Sequence, residues 1–227
     1  MTEFRSGPIS LSLGARKRDA EADRARLRAI HDTLQSGDVA GAGRMAADAL
    51  TSGHEHPMLF NLAADRLERE QRYEEALAVL QRGHALAPQD LGLNQALGLC
   101  LHRLERPAQA LAPYDAELAA QTAFAPGHAA RGASLEAIGD IGGAEAAYAR
   151  AVELQPQSLV ALSGLASIAG RRGRHAEARG LAERVVAGEP DYPDAVMVLA
   201  AADLAEGRPG ESEARLRRLM ADPRVTP

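Results

Sequence analysis

Apolar positions along this chain recur at helical spacing with polar residues between them, as in Phe60, Ala63, Ala64 and Leu67, which puts one apolar stripe on a helix. The stripes are cut at regular places. Pro88, Pro156 and Pro190 stand at intervals of 68 and 34 residues, and a proline stops a helix because it cannot donate the backbone bond and crowds the preceding turn. A period of 34 divides the chain into six blocks: 23–56, 57–90, 91–124, 125–158, 159–192 and 193–226. Each block is read as two helices joined by a turn. Residues 1–15 are interrupted by Gly7, Pro8 and Gly14 and predict a flexible N-terminal arm. From Arg16 the pattern turns helical and highly charged, so the array is expected to span 16–226.

Reading down the blocks gives columns with physical meaning. Position 8 holds Ile30, Ala64, Gly98, Gly132, Ala166 and Ala200, and position 20 holds Ala42, Ala76, Ala110, Ala144, Ala178 and Ser212. Small residues there let the two helices of a hairpin approach closely, and a larger one at position 20 costs about 1–3 kcal/mol through overpacking. Position 15 holds Gly37, Gln71, Glu105, Gly139, Gly173 and Gly207. Glycine ends a helix there because it takes the left-handed cap conformation cheaply. Position 27 holds Ala49, Gly83, Glu117, Ala151, Val185 and Leu219.

A 34-residue helix–turn–helix period with small residues at positions 8, 20 and 27 and proline at 32 resembles the tetratricopeptide repeat. The resemblance covers about 23–226, and Gly132, Leu135, Gly139, Ala144, Tyr148, Ala151 and Pro156 of the fourth block stand where that family expects them. It implies an all-α fold, a right-handed α-solenoid of about six repeats whose first helices line a concave groove. It also implies a non-enzymatic scaffold that holds a protein or peptide segment. The family's groove positions fall here on Asn61, Asp65, Glu68 and Arg69, then Gln95, Leu99, His102 and Arg103, then Ala129, Ala133, Ser163, Ser167, Met197 and Ala201. The family's clamp for C-terminal carboxylates needs a lysine at position 5. That column here is Leu27, Asn61, Gln95, Ala129, Ser163 and Met197, so binding of that type is not expected.

Some residues depart from the pattern. Pro113 falls inside the second helix of block 91–124, which predicts a kink or a late helix start. That block ends at Thr122 where proline is expected, which predicts a looser turn. Glu117 and Arg131 occupy columns meant for small or apolar residues, each seven residues from Phe124. They are expected to face each other as a partly buried ion pair. Leu216, Leu219 and Met220 hold columns that pack on a following repeat. They predict a contact between copies of the chain, an exposed patch, or continuation into a longer protein. The closing RLRRLMADPRVTP resembles, over a short stretch, the end of the repeat region in bacterial proteins where such repeats precede a sulfotransferase domain. That implies an alternative role as the recruiting module of a larger enzyme.

Composition narrows this further. Apolar residues make up 46% of the chain but aromatics only 3%, with no Trp, which suits close-packed helices better than a β-rich core. The net charge of −5 argues against a nucleic-acid partner by bulk charge. Arg5 precedes a weak apolar stretch, the wrong order for a secretory signal, and no run nears the ~18 apolar residues of a membrane span. A cytoplasmic location away from membranes is therefore expected, with no metal or other cofactor. Cys100 is the one cysteine, which excludes an intramolecular disulfide. His54, Glu55 and His56 sit together at a turn but lack the spacing of a metal motif. The glycine pairs Gly41/Gly43 and Gly142/Gly143 follow no strand and read as helix interior. Arg171, Arg172, Arg174 and His175 form a basic turn, either solvated or suited to an acidic partner.

Overall fold

Helix starts recur at fixed spacing along the chain. The computed structural model describes residues 9–221, and over them it contains twelve helices and no strand. They are α1 (Ile9–Gln35), α2 (Val39–Thr51), α3 (Pro57–Arg69), α4 (Tyr73–Leu86), α5 (Leu91–Arg103), α6 (Pro107–Ala120), α7 (Ala125–Ala137), α8 (Ile141–Leu154), α9 (Leu159–Arg171), α10 (His175–Gly188), α11 (Pro193–Ala205) and α12 (Pro209–Met220). From α3 onward the first helix of each hairpin starts at 57, 91, 125, 159 and 193, and the second at 73, 107, 141, 175 and 209.

The chain forms two compact units, one up to Pro88 and one from Gln89. The sequence pattern runs through this boundary unbroken, because periodicity records the packing inside each hairpin. The first unit packs α2 against α1 and α3, and α3 against α4, around Ile30, Ala42, Ala46, Ala49 and Leu59. In the second unit α5, α7, α9 and α11 pack in a row, each also against its own hairpin partner. Of the arm expected over 1–15, residues 1–8 lie outside the described residues, whereas 9–15 belong to α1. Gly14 costs a helix only about 1 kcal/mol relative to Ala, too little to stop it.

The repeat columns form the core. All residues at positions 8, 20 and 27 are buried. The close approach is steric: a Cβ on Gly98 would stand 2.4 Å from the Tyr114 ring, and one on Gly164 would stand 2.4 Å from the Tyr148 ring. The six corner residues share one conformation, with φ between 56° and 88°. Gln71 and Glu105 adopt it without being glycine, at φ 60° and 56°. From Gln71 onward each corner closes the same way. Arg72 N donates to Leu67 O at 2.9 Å and Gln71 N to Glu68 O at 2.9 Å, which satisfies carbonyls the helix end leaves open.

The expected late start at Pro113 is not found. Helix α6 runs from Pro107 to Ala120 with Pro113 buried inside it. Nor is the following turn unusual. Gln121 caps α6 at φ −136°, ψ 82°, close to the φ −136°, ψ 75° of Ala87 after α4.

Candidate functional site

The row α5, α7, α9 and α11 carries two adjoining cavities on one face of the second unit. The larger, about 630 Å³, is lined by residues of α7 to α11, among them Glu136, Tyr148, Ser163, Ser167 and Met197. The smaller, about 420 Å³, is lined among others by Gln95, Leu99, His102, Tyr114, Glu117 and Gly127. Ala133 and Val160 line both. Leu99, Val160 and Met197 are 47%, 49% and 58% exposed, so apolar side chains stand open to solvent along this face.

Nine residues assigned to the groove by the repeat pattern line these cavities: Gln95, Leu99, His102 and Ala129 the smaller, Ser163, Ser167, Met197 and Ala201 the larger, and Ala133 both. Arg103, exposed at the end of α5, lines neither. Asn61, Asp65 and Arg69 lie on α3 of the first unit. Asp65 and Arg69 pair with each other at 2.8 Å, and the carboxylate raises the pKa of the guanidinium. Asn61 is half-buried and its Oδ1 has no hydrogen-bond partner.

The expected Glu117–Arg131 pair does not form. Arg131 donates to Asp115 at 2.7 Å, on the exposed side. Glu117 is 1% exposed, with Oε2 unpartnered and set against Gly127, whose Cβ would stand 2.9 Å away. Burial pushes its carboxyl up to about 7. Equal spacing from the turn puts two residues at one level of a hairpin, but the small Gly127 draws the carboxyl into the α6–α7 contact while Arg131 reaches to solvent.

The larger cavity has a closed polar network. Tyr148 Oη donates to Glu136 Oε2 at 3.0 Å, and Arg171 pairs with Glu136 Oε1. The smaller one does not. Tyr114 is fully buried and its hydroxyl has no partner; burial raises its pKa. His102 Nε2 meets Ser134 Oγ at 2.6 Å, and Ser134 donates to Ala130 O at 3.2 Å, so the imidazole donates to Ser134. Burial lowers the His102 pKa and keeps it neutral.

The basic turn is internally neutralised. Arg172 and Arg174 both pair with Glu145, and Arg174 also with Glu177 at 2.9 Å. His56 caps α3, accepting from Met58 N at 3.2 Å, and His54 Nε2 lies 3.1 Å from Asp23. Among the described residues no group of His, Cys, Asp or Glu is arranged to hold a metal ion, and no helix is long and apolar enough to cross a membrane. Gly41 N and Gly143 N are taken up by the caps Asp38 and Asp140 at 2.7 and 2.9 Å. Of the proposed C-terminal face, Leu219 is buried, whereas Leu216 and Met220 are 37% and 68% exposed.

Sequence reasoning missed Asp203. It is fully buried on α11 and bonded to Arg179 at 2.6 Å, Arg215 at 2.8 Å and Arg208 at 3.1 Å. Burial alone would raise its pKa, but the three guanidinium groups outweigh it and hold the carboxyl at about 2. An aspartate on the inner side of α11 with arginines on both flanking helices was the available signal.

The hairpins, their left-handed corners and the small-residue columns define an all-α helical-repeat protein. The family model described as tetratricopeptide repeat matches residues 171–225. No curated protein sequence matches the chain. Among solved structures the chain is similar to PilW, described as a widely conserved type IV pilus biogenesis factor, at 21% identity over 90% of this chain and 96% of that one, with a TM-score of 0.73. A tetratricopeptide repeat protein from Parabacteroides merdae aligns at 16% identity over 88% and 79%, TM-score 0.69. YrrB, also a tetratricopeptide repeat protein, aligns at 16% identity over 81% and 95%, TM-score 0.65. The chain has the fold of tetratricopeptide-repeat proteins. At these identities the likeness concerns the fold alone, and the resemblance to a sulfotransferase-linked repeat region receives no support from it.

Proposed function

We propose that the chain is a non-enzymatic scaffold whose second unit holds a peptide or protein segment on the face formed by α5, α7, α9 and α11. The observation that carries this reading is the pair of adjoining cavities with Leu99, Val160 and Met197 exposed along them. Cavities of this size with apolar walls and a few polar groups suit side chains of a bound segment, and an apolar groove between helices is a recurring mode of peptide recognition. YrrB is described as having an unusual peptide-binding site, which supports the class of partner. Gln95 and Ser163 supply hydrogen bonds, and Leu99 and Met197 supply apolar contact. Peptides selected from a random library on the full chain test this. A Leu99→Glu/Met197→Glu double variant is expected to lose the selected peptides at least ~tenfold, as burying a charge against an apolar ligand dictates. Unchanged affinity overturns the assignment of this face.

A further inference from the structure

The smaller cavity differs from its neighbour in holding two polar side chains with nothing to bond. Tyr114 and Glu117 lie on α6, one turn apart, and both line the cavity. They are 0% and 1% exposed, and neither Tyr114 Oη nor Glu117 Oε2 has a partner. A buried polar atom left unbonded carries the full cost of its lost hydration, more if charged. Such a pair persists where a ligand completes it, and the cavity they line is the place for one. Its chemistry can be read from the lining.

No lysine or arginine lines this cavity, and His102 is kept neutral and committed to Ser134. The one acidic group is Glu117, so an anion meets no cationic side chain whereas a cation has a counter-ion. Tyr114 Oη offers a second acceptor beside it. Beyond the uncharged Gln95 and Ser158, the wall is mostly apolar, with Leu99, Ala129, Ala133 and Val160 along it, the first and last opening to solvent. A donor-rich head on a flexible apolar stem satisfies both parts.

We propose that this cavity binds a primary ammonium on an aliphatic stem, the lysine side chain of a segment held on the same face. This rests on the segment-binding reading above. The ammonium donates to Glu117 Oε2 and Tyr114 Oη while its methylenes lie along Leu99 and Val160. The raised carboxyl pKa of about 7 fits: burial without a counter-charge produces it, and an ammonium supplies that charge. Tyr148 has its acid already, in Glu136, so the neighbouring cavity makes no such demand.

The test uses the full chain with methyl-labelled Ala and Val, followed by NMR at Ala129, Ala133 and Val160. The probes are n-pentylammonium, n-pentanol and pentanoate. The ammonium is expected to shift these methyls saturably and to bind ~tenfold or more tighter than the alcohol, the difference that hydrogen bonds to a charged group supply. Pentanoate is expected to give no saturable shift. Glu117→Gln is expected to erase the preference for ammonium, and Tyr114→Phe to reduce it. Equal binding of alcohol and ammonium, a preference for pentanoate, no saturation, or a preference that survives Glu117→Gln overturns the site. Replacing lysine by norleucine in the selected peptides separates the two readings. Capture that is indifferent to the change keeps the segment reading and overturns the lysine site. Ammonium binding with no peptide captured overturns the segment reading and leaves the ammonium chemistry.

Discussion

Hairpins α5–α6 and α7–α8 are built on one plan and differ in a single polar connection. Each has a tyrosine at the same column, Tyr114 and Tyr148, packed over a glycine at another, Gly98 and Gly132. In α7–α8 the residue beneath the hydroxyl is Glu136, which bonds it. In α5–α6 the equivalent position is His102, whose ring tilts 39° from Tyr114 with centroids 6.2 Å apart and turns to Ser134. The tyrosine is thus left bare, and Glu117 adds a second bare group where α8 has Ala151. One repeat spends its polar atoms on its own stability, and the other holds them unspent beside a cavity.

Four measurements break or sharpen this contrast. The largest effect concerns Glu117. Its carboxyl titrates near 7 folded, against an ordinary value of 4.5, so between those values the folded state holds a proton that the unfolded state has released. Stability from this group is therefore present below about 4.5 and is lost as pH rises to about 7, by about 3 kcal/mol in all. Urea denaturation at pH 4.5 and pH 8 is expected to show that loss in the wild type and its absence in Glu117→Gln. Parallel pH profiles would mean that the carboxyl finds a partner in solution.

Next comes the fit around the rings. Gly132→Ala places a Cβ 2.7 Å from Tyr148, a ring anchored by Glu136, and is expected to cost about 2 kcal/mol. Gly98→Ala is expected to cost less although its contact is closer, because Tyr114 is unanchored and has the cavity to move into. A larger cost at Gly98 than at Gly132 breaks the contrast. Thermal denaturation reads both. The hydroxyls give a smaller effect: Tyr148→Phe is expected to cost about 1 kcal/mol for a lost hydrogen bond, whereas Tyr114→Phe is neutral or stabilising. The smallest lies at the corners. Glu105 sits at φ 56° where the next hairpin has Gly139 at φ 88°. Glu105→Gly is expected to stabilise by up to about 1 kcal/mol, the left-handed strain relieved less the entropy glycine adds to the unfolded chain.

The fold was legible because it depends on columns. Any residue small enough for position 8 or 20 satisfies the crossing, and the period exposes those positions directly. The corners were legible too, including Gln71 and Glu105, since their backbone conformation follows from where a helix must end. The site was legible only in part. Leu99, His102, Ser163 and Met197 follow from register, but pairing does not. Glu117 and Arg131 were matched by distance from a turn, and the structure separates them because side-chain direction and the neighbour's size decide contacts. The bare state of Tyr114 depends on His102 facing Ser134, a choice between two rotamer partners that one sequence does not encode visibly.

The charged links between consecutive hairpins are unevenly shared. Glu136 reaches Arg171, Glu145 reaches Arg172 and Arg174, and Asp203 gathers Arg179, Arg208 and Arg215, so the last three hairpins are stapled in series. In a stack where each unit leans on its neighbours, such staples favour opening of α7 through α12 as one cooperative block, to which α5–α6 is joined by the exposed Arg131–Asp115 pair and the His102–Ser134 bond. Added salt weakens exposed staples first. Amide exchange in added salt would then show the links from Glu136 and Glu145 giving way first, with the contact of α10, α11 and α12 around the buried Asp203 the last to yield.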